Sequence, residues 1–161
     1  MAVSRRANVG AWVLPRYPTA FPTMNLRLPA CPLFVLIVED HPDTADSLAL
    51  LVRYYGHEAL VAHNGQEAIA ALAVATPDAV LMDIGLPGGD GYAVAGRLLA
   101  VLDHKPLLVA LTGYGHLAAR SKEAGFHYHF EKPVDPQQLA DLLGAYARKL
   151  AGPPCAGGGG K

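Results

Sequence analysis

Cysteine is scarce. Cys31 and Cys155 are the 2 cysteines among 161 residues. They share no metal-ligand spacing, which argues against a disulfide framework and against a cysteine-based zinc site. A reducing cytoplasm is the expected compartment. Excess charge of either sign is also missing, since 13 Lys and Arg face 14 Asp and Glu for a net charge of −1. A balance this even carries no electrostatic footprint for nucleic acid or an anionic membrane surface. Long hydrophobic runs are absent too. The strongest, Leu33 to Val38, is far short of the roughly 20 residues of a membrane span. What the chain does have is apolar content: 52% hydrophobic residues and a mean hydropathy of +0.21. That is too much for a disordered chain, and the length suits one domain with a real core.

The two ends differ from the middle. Residues 1–32 hold Pro15, Pro18, Pro22, Pro29 and Pro32 with no sustained period, and read as an extended N-terminal tail. Ser4-Arg5-Arg6 and the following apolar stretch bear a faint likeness to a twin-arginine export signal. Asn8 and Gly10 break that stretch and Pro15 ends it, so export is not expected. Met24 lies nine residues before the first strand-like run and is a candidate true start. Residues 151–161, AGPPCAGGGGK, have the composition of a flexible tail.

Between the ends, strand and helix patterns alternate. Leu33–Val38 is a continuous β-branched and apolar run, as in a strand buried on both faces. Pro42–Tyr55 places Ala45, Leu48, Ala49, Val52 and Tyr55 on one helical stripe, with Gly56 at the stop. Glu58–Ala62 reads as a weaker strand. Asn64 and Glu67 have capping-box spacing and open a helix that ends before Pro77. Strands are then expected at Asp78–Met82, Leu107–Leu111 and Phe126–Phe130, and helices at Gly91–Leu102 and His116–Ala124. Asp135, Pro136 and Gln138 supply a cap, a first-turn proline and a reciprocal cap for a last helix. Its apolar face carries Leu139, Leu142, Leu143, Tyr146 and Leu150. Strict βα alternation with short loops predicts an α/β fold: a doubly wound, five-stranded parallel sheet covered on both faces. With strand order 2-1-3-4-5 it is flavodoxin-like, and function then sits at the carboxyl ends of the strands.

The residues at those ends form a chemical set. Strand one ends in Glu39-Asp40, strand three in Asp83 and strand four in Thr112, while Glu131-Lys132-Pro133 follows strand five. In the order 2-1-3-4-5, three carboxylates converge. Two like charges about 4 Å apart repel by roughly 4 kcal/mol at an effective dielectric near 20. A hard divalent cation relieves this, and oxygen-only ligation suits Mg²⁺. Lys132 and Thr112, expected on the side opposite the metal, complete an electrostatic clamp for a phosphoryl group. A carboxylate attacking phosphorus yields an aspartyl phosphate, and Asp83, alone at the central strand end, is the natural nucleophile.

The set Glu39-Asp40, Asp83-Ile-Gly-Leu-Pro87-Gly-Gly-Asp-Gly91, Leu111-Thr112-Gly113 and Lys132-Pro133 resembles the receiver domain of two-component response regulators, of the chemotaxis-regulator type. The likeness spans residues 33–150. It implies that Asp83 accepts a phosphoryl group from a phosphohistidine on a sensor histidine kinase or phosphotransfer protein. It implies that Glu39, Asp40, Asp83 and the Gly85 carbonyl hold Mg²⁺. It further implies that Thr112 hydrogen-bonds the phosphoryl group, that Lys132 pairs with it, and that Lys132-Pro133 is cis. Phosphorylation then shifts a surface made by the fourth helix, fifth strand and last helix. One position departs from the pattern. The family has Tyr or Phe three residues before the lysine as the switch partner of Thr112, and here His129 stands there. A planar ring is kept, with weaker hydrophobic docking behind Thr112. Gly85 and Tyr114 occupy positions that tune phosphate lifetime in the family.

Taken singly, each of these residues has a blander reading. An isolated acidic pair is usually a solvated turn, and an isolated Thr or Lys a cap or surface residue. Four such features in order at matching strand ends outweigh them. Asp90 reads as a helix cap. Gly113-Tyr-Gly115-His-Leu-Ala118 fits a dinucleotide fingerprint but lies on the wrong strand, and Gly157–Lys161 lacks the helix of a P-loop. His127 and His129 alternate on a strand, which favours packing over metal binding. A haloacid-dehalogenase-type phosphatase needs a second Asp two residues after the nucleophile, where this chain has Gly85. A degenerate, non-phosphorylated receiver would lack an acidic residue or the lysine, and none is lost. Neither flank has room for an output domain. The expected product is a single-domain response regulator, a phosphorelay intermediate or the receiver of a larger hybrid kinase, monomeric or weakly dimeric.

Overall fold

The structure, a computed structural model, describes residues 31–87, 90–113 and 123–151. The expected N-terminal tail through residue 30, the C-terminal tail from residue 152, Tyr114 and most of the expected His116–Ala124 helix lie outside the described residues.

Among those residues run, in order, β1 (Phe34–Val38), α1 (Pro42–Tyr54), β2 (Glu58–Ala62), α2 (Gly65–Ala71), β3 (Ala79–Asp83), α3 (Gly91–Val101), β4 (Leu107–Thr112), β5 (Tyr128–Glu131) and α4 (Pro136–Ala151). The sheet is parallel, in the order β2-β1-β3-β4-β5. β3 and β4 are buried along their whole length, as uninterrupted apolar runs demand. Alternate side chains feed two cores. Leu36, Val38, Val80, Met82, Leu108 and Ala110 pack under α2 and α3. Val35, Ile37, Leu81, Val109 and Leu111 pack under α1 and α4.

Local chemistry sets the element ends, and several depart from expectation. α1 starts at Pro42, whose missing N–H costs nothing in a first turn, and stops where Gly56 takes φ +84. The Asn64 side chain accepts from Glu67 N at 2.9 Å. Glu67 reaches back to the N–H of His63 at 2.8 Å rather than to that of Asn64, so the box closes one residue early. That bond, chiefly, holds the Glu67 carboxyl below its usual range. α2 ends at Ala71, well short of Pro77. β3 begins at Ala79 rather than Asp78, because the Asp78 side chain accepts from Phe34 N at 2.9 Å. β5 begins at Tyr128 rather than Phe126. The His127 ring takes the Leu108 N–H at 3.1 Å, and Phe126 turns into the core edge-on to Tyr92. At α4, one Asp135 oxygen accepts from both Gln137 N and Gln138 N, and it is Gln137 that reaches forward to Asp141. Ala147 completes the buried stripe of α4, whereas Leu150 is 52% exposed past its end. α4 also runs through Ala151, where a tail was expected to begin. Among the described residues, no helix is long and apolar enough to cross a membrane.

His57 gives the fold a measurable acid sensitivity. It is buried, and its Nδ1 accepts the Leu33 N–H at 3.2 Å, so the folded state needs that nitrogen bare. Burial pushes its pKa below the ordinary 6.5. The unfolded chain therefore takes up this proton first. The contribution of His57 is complete above the unfolded pKa and is lost as pH falls below it. Thermal unfolding between pH 7.5 and pH 5 is expected to show a falling midpoint. The slope flattens in His57→Asn, which keeps an acceptor near the same place and has no proton to gain.

Candidate functional site

The site forms where the order of the strands reverses. β1 lies between β2 and β3, so the residues that follow β1 and end β3 share one rim of the sheet. Glu39 continues β1, tied by its N–H to Ala62 O at 3.0 Å. His63 braces the same corner. Its Nδ1 lies 3.1 Å from the Glu39 carbonyl, which only accepts, so that nitrogen carries the proton.

Glu39, Asp40 and Asp83 come together here. One carboxylate oxygen of each lies within 4.8 Å of the others. Glu39 is 1% and Asp83 7% exposed, so two of the three charges are withdrawn from water. Burial raises the Glu39 pKa; the Asp83 charge raises it further, and Lys132 opposes both. Lys132 Nζ lies 2.6 Å from Glu39 Oε2 and 2.7 Å from Asp83 Oδ2. Its ammonium sits among the carboxylates and bridges two of them, because it is the cation best able to offset two buried charges. Burial works to lower the Lys132 pKa, but the hydrogen bonds and charges of Asp83 and Glu39 outweigh it and the net shift is upward.

The loop after β3 shapes the other side of Asp83. Gly85 N–H donates to Asp83 Oδ1 at 2.7 Å, and Ile84 N–H donates to Leu111 O at 3.0 Å. A Cβ on Gly85 would meet Asp83 Oδ1 at 3.5 Å, so a side chain there would stand against the carboxylate. Asp90 caps α3 by accepting from Tyr92 N at 3.1 Å. Gly91 lies so close beneath that a Cβ would fall 2.5 Å from the Asp83 carbonyl oxygen.

Thr112 ends β4, one residue past Leu111, the register partner of Asp83, and is 3% exposed. Its Oγ1 lies 3.2 Å from His129 Nε2 on β5. Lys132 N donates to Thr112 O at 2.7 Å, and the Lys132–Pro133 bond is cis. The structure thus brings Glu39, Asp40, Asp83, Gly85 and Lys132 to one rim and places Thr112 with His129 beside it. Tyr114 lies outside the described residues. His63 carries no signal of its own in the sequence, and Gly91 stands there only as the end of the Asp83 motif. Gly91 opens a helix straight after the Asp83 loop, which is a usable signal; His63 is recognised only once β2 is paired with β1.

The donor set is made of oxygen alone and is held by the fold, with two lone pairs on each carboxylate oxygen. Asp83 and Glu39 therefore keep acceptor capacity beyond Lys132. The group fits a hard divalent cation of the Mg²⁺ kind.

The comparisons agree with this chemistry. The family model for the response regulator receiver domain matches residues 35–144. The chain is 32% identical over 114 residues to the sporulation initiation phosphotransferase F of Bacillus subtilis, covering 70% of this chain and 91% of that protein. A solved receiver domain from Methylobacillus flagellatus superposes with a TM-score of 0.66 at 29% identity, covering 71% of this chain and 98% of that one. The receiver domain of a sensor histidine kinase from Pseudomonas aeruginosa, solved with a magnesium ion in its active-site cleft, gives a TM-score of 0.63 at 25% identity, covering 72% of this chain and 98% of that one. The chain belongs to the receiver domains of two-component response regulators.

Proposed function

We propose that this chain takes a phosphoryl group onto Asp83 from a phosphohistidine of a partner kinase or phosphotransfer protein. The observation that carries the reading is the acidic triad Glu39, Asp40 and Asp83 with Lys132 seated on its central carboxylate. An Asp83 oxygen attacks phosphorus, the phosphorus–nitrogen bond breaks, and the donor imidazole leaves with the electron pair and picks up a proton. Glu39, Asp40, Asp83 and the Gly85 carbonyl are the residues that would hold Mg²⁺. The ion's contribution is to neutralise charge on the phosphoryl oxygens as it develops. The magnesium ion of the Pseudomonas aeruginosa receiver supports that assignment.

The remaining roles belong to this chain's own side chains. Lys132 already contacts Asp83 Oδ2, and an oxygen of the new phosphoryl group would inherit part of that ion pair. Thr112, at the end of the neighbouring strand, supplies a neutral hydroxyl to a second oxygen. The module acts in the cytoplasm as a monomer or weak dimer and signals by a protein contact, its only chemistry being its own phosphorylation and dephosphorylation. A phosphorelay intermediate is the second reading, favoured by the near full-length match to a short phosphotransferase.

The test is incubation with Mg²⁺ and a small acyl phosphate, followed by intact mass. A base-labile adduct of about 80 Da, the mass of one phosphoryl group, is expected on the wild type. It is absent from Asp83→Asn and after chelation of the metal. An adduct that persists in Asp83→Asn sinks the assignment. Rapid turnover of many phosphomonoesters would point to a phosphatase instead.

A further inference from the structure

The position paired with Thr112 is His129, and it meets Thr112 through a nitrogen, at 3.2 Å from Nε2 to Oγ1. The contact follows from strand register. His129 lies opposite Ala110 on β4, and Ala110 and Thr112 point to the same face, so the ring is a diagonal neighbour of the hydroxyl. The methyl of Ala110 leaves room for the ring to lean toward it. The ring is half-buried and Thr112 is buried, so neither group exchanges this bond freely for water.

A hydroxyl has one proton and two acceptor lone pairs. If Nε2 is bare, Thr112 spends its only proton on the ring and has none for a phosphoryl oxygen. If Nε2 carries a proton, the ring donates to Oγ1 and the hydroxyl proton remains for the group on Asp83. A ring without nitrogen at this place could make no such bond to the hydroxyl. Resting on Asp83 as phosphoacceptor, we propose that His129 is a positioning residue. In the phosphorylated protein its Nε2–H donates to Thr112 Oγ1 and directs the hydroxyl proton onto the phosphoryl group. A ring that starts with its proton on Nδ1 releases it to water and takes one up at Nε2, so no net charge is gained.

Two measurements test this, each with intact mass on the same sample. Nitrogen NMR of the ¹⁵N-labelled full chain reads the tautomer of His129 with and without excess acyl phosphate and Mg²⁺. The protonated-Nε2 signature is expected in the phosphorylated sample. An adduct on Asp83 with Nε2 bare overturns the proposal and leaves the phosphoacceptor assignment standing. No adduct on the wild type overturns both. In the second measurement, His129→Phe is expected to slow adduct formation about two- to tenfold, the size of one hydrogen bond. The same change made in a Thr112→Val background has no further effect, because His129 acts through Thr112. An equal slowing in both backgrounds shows a merely structural role and overturns the proposal.

Discussion

Lys132→Met is expected to destabilise the chain by about 3–5 kcal/mol at neutral pH, the usual cost of stripping one partner from a buried ion pair. The lysine bridges Glu39 and Asp83 at 2.6 and 2.7 Å, and Glu39 is almost completely enclosed. Methionine fills much of the same volume and leaves both carboxylates without their cation. The sign of the pH dependence follows from the carboxylates. Burial already raises the Glu39 pKa, with Asp83 adding to it, and removing Lys132 takes away what opposes them. A raised folded pKa favours the protonated form, so the deficit shrinks as pH falls toward 5 and grows again above it. Urea unfolding at pH 5 and pH 7.5, with and without Mg²⁺, checks this. Divalent cation should restore part of the lost stability, since it offsets the same charges and binds only the folded state. Adduct formation from an acyl phosphate should fall by about 100-fold or more even where the variant is folded, in line with removing a preorganised charge contact. A deficit that does not depend on pH or Mg²⁺ would show that the lysine stem, rather than its charge, holds the corner.

Gly91→Ala is expected to cost about 1–3 kcal/mol, and to slow phosphorylation with it. The new Cβ would sit 2.5 Å from the Asp83 carbonyl oxygen and 2.8 Å from Ile84 Cα. Both are backbone atoms, so no rotamer change relieves the contact. Either the start of α3 or the end of β3 has to move, and the end of β3 carries Asp83. Gly96, farther along α3, is the control. A Cβ there meets nothing within 4 Å. Gly96→Ala should therefore stabilise by about 0.5–1 kcal/mol through helix propensity alone. Thermal melts of the two variants, read beside the rate of adduct formation, separate a helix effect from displacement of Asp83. Equal behaviour of the two would contradict the close approach at Gly91.

The doubly covered sheet was legible because its central strands have only one way to be satisfied. LFVLIV and the run from Leu107 are apolar at every position, so they belong between two layers of helices. The rim chemistry was legible for a related reason: Glu39, Asp40, Asp83, Thr112 and Lys132 fall where such strands stop. Boundaries shifted where a side chain took over a backbone bond. Asp78 and His127 each accept an amide from a neighbouring strand, and neither use leaves a trace in hydrophobic periodicity. The partners of Lys132 were hidden as well. Spacing shows that a cation faces three carboxylates, but which two it grips depends on distances of a few tenths of an ångström. The His63 bond to the Glu39 carbonyl was equally out of reach, as it joins residues 24 apart.

The alternation of side chains along the central strands also divides the molecule into two compartments. Ala79 and Leu81 belong to the core under α1 and α4, and Asp83 continues their row. Leu108 and Ala110 belong to the core under α2 and α3, and Thr112 continues theirs. The sheet is thus a partition wall, and repacking on one side has little direct access to the other. Substitutions confined to opposite compartments should add in their effects on stability. Only at the rim, where Asp83 and Thr112 stand on adjacent strands, does one small group gain simultaneous purchase on both sides of the wall.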